Sequence, residues 1–242
     1  MLRVEPDGRV LRITLARPER RNAFDAALIA ALTEAFADVG DARAVVLAGE
    51  GPAFCAGADV GWQRASIALD PEQNVEDALR LYRMMEAVRS CPAPLVARVH
   101  GHALGGGAGL AACADVVVAG RDAVFGFPEV RLGIAPAVIS PFVLARVGSR
   151  ARRFFLTGER FGAETALRIG LADEVADDLD EAVERLVGEV LQAGPEAARA
   201  AKRLTGGEPG EELARLAAGL RAGAEGQEGL RAFLERRRPS WR

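Results

Sequence analysis

Residues His100 to Asp115 read HGHALGGGAGLAACAD and follow directly on the apolar run Pro94 to Val99. Gly105, Gly106 and Gly107 carry no Cβ, so the backbone there can approach a ligand closely, and the alanine-rich stretch Ala108 to Ala114 can start a helix at once. The first N–H groups of such a helix have no carbonyl four residues earlier and have the positive end of the helix dipole behind them, so they favour an oxygen that carries negative charge. Gly51 to Trp62, GPAFCAGADVGW, repeats this logic: small residues Ala53, Ala56, Gly57 and Ala58 leave peptide N–H groups uncovered, and Asp59 caps a helix that begins at Val60. Two strand-to-helix turns that end in open donors are what an oxyanion hole needs, each donor ~2.7 to 3.1 Å from the developing charge. Taken alone, the glycine cluster also suits a tight turn where helix and sheet pack closely. A dinucleotide site is disfavoured, because Gly101, Gly105 and Gly107 do not keep the G-x-G-x-x-G spacing.

Proton traffic at such a site calls for a carboxylate. Glu129 lies in the apolar stretch FPEVRLGIAPAVI, and apolar surroundings raise a carboxyl pKa and suit it to proton transfer. The same residue would equally serve as a helix-start acid or as an ion-pair partner of Arg131. His100 and His102 have no carboxylate or cysteine nearby in sequence and read as turn histidines that face solvent or a backbone carbonyl. Cys55, Cys91 and Cys113 are widely spaced and odd in number, which suits buried reduced thiols and fits neither a disulfide framework nor a zinc site. Lys202 is the one lysine, so Schiff-base chemistry has almost no candidate.

Around these residues the elements follow from periodicity. Leu2 to Ala16 reads as a β-hairpin turning at Asp7-Gly8, and Asp25 caps a helix with Leu28, Ile29, Leu32, Phe36 and Val39 on one face, ending near Gly40. Short buried strands are expected at Ala44 to Ala48, Val116 to Val118 and Val124 to Phe127. Residues 63 to 72 read as a polar loop and a candidate lid, followed by a helix from Val75 to Val88 with Leu79, Tyr82, Met85 and Val88 on one face. The chain turns helical towards its end, in segments Ala151 to Leu156, Ala163 to Ile169, Leu179 to Leu191, Glu196 to Leu204 and Glu211 to Leu220, broken at Gly158, Gly170, Gly194-Pro195 and Gly206-Gly207. The basic run Arg236 to Arg238 reads as a solvated helix end.

The 242 residues, half of them hydrophobic, suffice for one large domain or a domain with a small appendage. A net charge of −3 gives no bulk basic field for nucleic acid or an anionic membrane. No stretch approaches the ~20 apolar residues of a membrane span, and the charged start MLRVEPDGRV lacks a signal-peptide core, so a cytoplasmic location is expected.

The ordered series RPERRNAF, AFCAGADV, HGHALGGGAGLAACAD, FGFPEVRLGIAP, FFLTGERFGAETALRIGLADEV and FLERRRPSW resembles the crotonase superfamily, the enoyl-CoA hydratase and isomerase group, over nearly the whole chain. The resemblance implies an α/β fold, a spiral of ββα turns over residues 1–176 that carries the acyl-CoA site. A helical region at 177–242 then builds homotrimers, often paired into hexamers. It implies no cofactor beyond the coenzyme A that carries the substrate as a thioester, and no metal; the acidic charge balance gives no expectation of a nucleic-acid or membrane partner. The thioester oxygen would accept from the N–H groups of Ala58 and Gly106. Ala56, Ala58, Asp59, Val60 and Gly61 would lie along the CoA, and Arg21 and Asn22 would line its pantetheine and nucleotide side. Glu129 matches the second of the two glutamates that hydratases of this group place around a water molecule. The first is absent: its place is Gly109.

That departure leaves three routes open. Glu129 alone handles the water, another acid from residues 59 to 86 replaces the missing one, or the reaction is a Δ3,Δ2-isomerisation with Glu129 as sole proton shuttle. GADVGW, GGGAGLAACAD and GIAPAVISPFVLARVG further resemble the bacterial methylglutaconyl-CoA hydratase branch, on the leucine breakdown route. A second substrate carboxylate would want an arginine, with Arg64, Arg80 and Arg83 as candidates. A protein of this kind that binds acyl-CoA with little catalysis is the rival from outside the enzyme class.

Overall fold

The computed structural model describes residues 1–204 and 211–242. Strands β1 (Leu2–Asp7) and β2 (Val10–Leu15) form the expected hairpin, paired from Leu2 opposite Leu15 to Asp7 opposite Val10. Asp25 caps α1 (Ala26–Ala37) by accepting from the Leu28 N–H at 2.9 Å. The helix stops three residues short of Gly40, although Val39 still packs into the core. Strand β3 (Ala44–Gly49) lies parallel to β2, and α2 (Val60–Ser66) and α3 (Pro71–Arg89) lead to β4 (Leu95–Val99), parallel to β3.

A short strand that periodicity did not reveal follows at once, β5 (His102–Leu104), and it opens a second sheet before α4 (Gly106–Ala112). The pattern then repeats: β6 (Val116–Gly120) returns to the large sheet beside β4, and β7 (Val124–Gly126) joins β5. After α5 (Ser140–Val147) and α6 (Arg152–Thr157), β8 (Arg160–Gly162) completes the small sheet. Helix α7 (Ala163–Ile169) and β9 (Glu174–Ala176) complete the large one, in the order β1-β2-β3-β4-β6-β9. The helices α8 (Leu179–Gln192), α9 (Pro195–Leu204), α10 (Glu211–Ala222) and α11 (Ala224–Leu234) close the described chain. The expected break at Gly206-Gly207 lies outside the described residues. No helix among the described residues is long and apolar enough to cross a membrane.

A largely parallel sheet must bury both faces. Val45 and Leu47 of β3 point into the main core with α1, α3 and α4, whereas Ala44 and Val46 point to the other face. That second face is covered by Leu179, Ala182, Val183 and Val187 of α8. Helix α9 is tied to the sheet by Lys202, whose ammonium meets Asp115 at 2.7 Å and donates to the Ala93 carbonyl at 3.0 Å.

Two expectations need correction. Residues 63 to 72 are mostly helical: α2 runs to Ser66, and Asp70-Pro71 is the start of α3, where Asp70 accepts from the Gln73 N–H at 2.8 Å and the Gln73 side chain accepts from the Asp70 N–H at 3.1 Å. A capping box has loop-like composition, which is why the stretch reads as a loop. The buried face of α3 is also rotated from the expected one: Leu81, Met84, Met85 and Val88 pack inward, while Leu79 and Tyr82 are largely exposed.

Between β2 and α1 the turn Arg17 to Ala23 is held by Asn22, fully buried at φ +56°. Its Oδ1 accepts from the Arg17 N–H at 2.8 Å, and its Nδ2 donates to the carbonyls of Glu50 and Ala53 at 2.9 and 2.8 Å. Asn22→Ala orphans all three groups and keeps the left-handed backbone, so it lowers the unfolding free energy by about 2 to 4 kcal/mol. Urea denaturation measures this, and an unchanged midpoint would remove Asn22 from the stabilising network.

Candidate active site

The segment between β3 and α2 runs beside β5 as an irregular extra strand. Phe54 and Cys55 donate to the carbonyls of His100 and His102 at 3.0 and 2.9 Å, and Leu104 donates back to Cys55 at 3.0 Å. Gly57 and Ala58 then meet Phe24: the Phe24 N–H donates to the Gly57 carbonyl at 2.7 Å, and the Asp59 N–H donates to the Phe24 carbonyl at 2.8 Å. This one-residue parallel bridge uses the groups on either side of Ala58 and turns the Ala58 N–H the other way, where it has no acceptor among the described residues. The Gly106 N–H is equally unpaired, since it opens α4 and its neighbour Gly105 offers no side chain to cap it.

Glycine lets these two turns touch. A Cβ on Gly57 would lie 2.7 Å from the Leu104 carbonyl oxygen and 3.8 Å from the Gly106 nitrogen, and one on Gly107 would lie 2.1 Å from the Cys55 carbonyl oxygen. Backbone therefore packs on backbone, and the two free amides end up on neighbouring stretches of chain.

Ala58 and Gly106 both line a cavity of about 600 Å³, together with Ala56, Phe24, Trp62, Leu81, Leu104 and Ile139. Glu129, on a 3₁₀ turn at Pro128–Leu132, lies against Gly105 so closely that a Cβ there would be 2.9 Å from its Oε1. Its Oε2 is buried with no hydrogen-bond partner, and burial pushes the carboxyl above the usual glutamate range. The ion pair with Arg131 does not form, because Arg131 Nε donates to the Thr157 carbonyl at 3.2 Å.

Gly109 is buried in α4, and a Cβ there would lie 2.5 Å from Ile139 Cγ2 and 2.7 Å from Ile139 Cβ. The place of the missing glutamate is thus filled by a branched alkyl side chain. The cavity lining also includes Asp77 of α3, whose Oδ1 accepts from the Trp62 indole N–H at 3.2 Å. Glu129 and Asp77 are the carboxylates among the lining residues, and Arg160 is the cation. Asp77 was not singled out from sequence, yet the signal was there: it lies one turn before Leu81, on the helix face that continues into Met84, Met85 and Val88.

The other expected contacts lie outside this cavity. Asn22 is sealed in the β2–α1 turn, so its side chain cannot touch a ligand, and Arg21 is exposed beside it. Asp59 is buried as the cap of α2, accepting from Gly61 at 2.8 Å and pairing with Arg20 at 3.1 Å. Burial alone would raise its pKa, but the amides of Trp62 and Gly61 and the Arg20 guanidinium outweigh this and hold it low. Val60 and Gly61 are exposed on the first turn of α2. Arg64 does not line the cavity, and Arg80 and Arg83 face Glu76 on the exposed side of α3.

Elsewhere, His100 Nε2 meets the Gly51 carbonyl at 2.7 Å, the backbone role expected of it. The three cysteines are free and buried, and burial pushes the Cys55 thiol up to about 12. The described residues include no cluster of metal-ligating side chains. A larger hollow of about 1100 Å³ opens near Arg98, His100 and Arg121, but its charges are already neutralised, Arg98 by Asp180 at 2.6 Å and Arg121 by Asp177 and Glu164.

The sequence model of the enoyl-CoA hydratase/isomerase family matches residues 5–242. The cyclohexa-1,5-dienecarbonyl-CoA hydratase of Thauera aromatica is 34% identical over 98% of this chain and 95% of its own. Among solved structures, Pseudomonas aeruginosa AtuE superposes with a TM-score of 0.94 at 40% identity, covering 99% of this chain and 98% of that one. An enoyl-CoA hydratase from Shewanella pealeana does so with a TM-score of 0.94 at 36% identity, covering 99% and 95%. Two free amides and an apolar-set carboxyl on this fold therefore belong to an enzyme, and the chain is a member of the enoyl-CoA hydratase/isomerase family, within the crotonase superfamily.

Proposed function

We propose that the protein adds water across the 2,3 double bond of a short or branched 2-enoyl-CoA. The observation that carries this reading is the pair of unpaired amides, from separate turns, on the same cavity as a half-buried carboxyl whose Oε2 has no hydrogen-bond partner. A thioester oxygen held between the Ala58 and Gly106 N–H groups draws electron density from the conjugated double bond and stabilises the enolate that forms when an oxygen nucleophile joins Cβ. Removing one such donor typically costs ~10²- to 10³-fold in kcat. Glu129 supplies the proton that Cα needs. Coenzyme A then runs past Ala56 and along the exposed first turn of α2 at Val60 and Gly61, with Arg21 on its outer side.

Within that class we place methylglutaconyl-CoA as the branched substrate. Its second carboxylate would meet Arg160, a guanidinium on the cavity wall with no ion-pair partner among the described residues, in place of the Arg64, Arg80 and Arg83 expected from sequence. Exposed Leu213, Leu230, Phe233 and Leu234 on α10 and α11 support assembly of the chain into homotrimers or hexamers. The replacement of the first glutamate by Gly109, with Ile139 in its space, favours one second reading, a Δ3,Δ2-isomerase in which Glu129 shuttles a single proton.

Supplying a 2-enoyl-CoA separates the two: loss of its conjugated thioester absorbance supports hydration, and persistence of that absorbance overturns it. Glu129→Gln keeps CoA-ester binding while hydration falls at least ~10²-fold, and near-normal turnover would remove Glu129 from the mechanism.

Stability should respond in the opposite sense. The folded-state carboxyl holds its proton to higher pH than the unfolded one, so its cost to folding is absent below the unfolded pKa and grows as pH rises towards the folded value. Glu129→Gln therefore raises the Tm at pH 8 by a few degrees and leaves it unchanged at pH 4, as calorimetry at the two pH values measures. An equal effect at both would show that ionisation is not the cause.

A further inference from the structure

We infer that Asp77 is the base that takes the proton from the attacking water, so that the hydration runs on one carboxylate from α3 and one from the 3₁₀ turn. The inference rests on the hydratase reading and adds the group that reading lacks. Helices α2 and α3 line part of the cavity that Glu129 also lines, and Asp77 is the one carboxylate they contribute to it. The residue occupies a position where the helix periodicity calls for an apolar side chain, one turn before Leu81 on the stripe that ends in Met84, Met85 and Val88. A carboxylate there is half-buried rather than solvated, and the Trp62 indole N–H fixes one of its oxygens at 3.2 Å. The second oxygen has no partner among the described residues. It remains an acceptor directed by the same fixed plane, which is the equipment a base needs in order to orient a water molecule. Trp62 is the positioning residue: its ring lies at the first turn of α2 and ties α2 to α3 through this one bond.

The step balances without any further reagent. As the water oxygen bonds to Cβ, Asp77 accepts one of its protons, and the π pair moves through Cα onto the thioester oxygen between the Ala58 and Gly106 amides. The enolate then takes a proton at Cα from Glu129, which burial keeps protonated to higher pH. One water is consumed, the double bond becomes C–OH and C–H, and no electrons leave the system. Asp77 ends neutral and Glu129 ionised, and proton exchange with solvent restores both. Ile139 matters here as well. With its branched side chain over Gly109, α4 offers no carboxylate, and the water is left to the α3 wall.

The test separates proton removal from water and proton delivery to carbon. Wild-type protein, Asp77→Asn, Asp77→Glu, Trp62→Phe and Glu129→Gln are assayed for hydration of crotonyl-CoA. They are also assayed for exchange of the α-protons of butyryl-CoA with D₂O, a reaction that needs the amides and Glu129 but no attacking water. Asp77→Asn is expected to lose ~10²-fold or more in hydration kcat with KM changed less than about threefold, and to keep α-proton exchange within about threefold of wild type. Asp77→Glu recovers part of the hydration, and Trp62→Phe loses about tenfold in hydration alone. Glu129→Gln loses both reactions. Hydration by Asp77→Asn within about twofold of wild type overturns the role of Asp77 and leaves the hydratase reading standing. Equal loss of hydration and exchange in Asp77→Asn makes the residue structural and also overturns it. A wild-type protein that exchanges α-protons but hydrates nothing overturns the hydratase reading itself, with Asp77 falling alongside it.

Discussion

Everything at the site depends on how closely two pieces of backbone are allowed to approach. Gly57 against the Leu104 carbonyl, and Gly107 against the Cys55 carbonyl, bring the β3–α2 crossover and the β5–α4 turn to a separation that no side chain would tolerate. The hydrogen bonds between Cys55 and His102, and between Leu104 and Cys55, fix their register. Once that register is set, peptide geometry alone decides which amides are consumed and which are left open. Ala58 and Gly106 stay open because their neighbours are the ones that pair. Amides fixed in this way would need no reorganisation if negative charge developed beside them, which is the advantage the proposed oxyanion-hole role draws on.

The same contact explains why the fold needs a second sheet. The large sheet supplies the parallel strand β3 that leads into the first of the two turns, but the second turn follows β5, outside that sheet. The short strands β5, β7 and β8, with the irregular segment at Ala53 to Cys55, hold the two together. Helix α8 plays a complementary part by covering the outer face of the large sheet, so that the inner face is free to pack against the helices that wall the cavity.

Much of this was legible in the sequence because it rests on glycine, caps and long apolar periods. The hairpin at Asp7-Gly8, the Asp25 and Asp59 caps, the strands with three or more consecutive β-branched or aliphatic residues and the apolar setting of Glu129 all correspond to observed features. What stayed hidden has several causes. The three-residue strands His102–Leu104 and Arg160–Gly162 are short and carry polar residues, unlike the equally short Val124–Gly126 that its apolar run reveals. The capping box at Asp70 to Gln73 has the composition of a loop. Asp77 and Arg160 reach the site from elements far from the glycine turns in sequence, so only the tertiary fold brings them to the same wall. Asn22 shows the converse: a polar residue in a motif was read as a ligand contact, whereas its side chain satisfies three backbone groups and never sees solvent.

The near absence of lysine acquires a chemical meaning beside an activated thioester. Thioesters acylate amines, and a protein that works among them is exposed to slow modification by its own substrates. Here 31 basic side chains include a single amine, and the guanidinium groups that make up the rest do not react as nucleophiles at neutral pH. That amine, on Lys202, is only 12% exposed and is paired with Asp115. The surface thus offers almost no amine for an acyl-CoA thioester to modify.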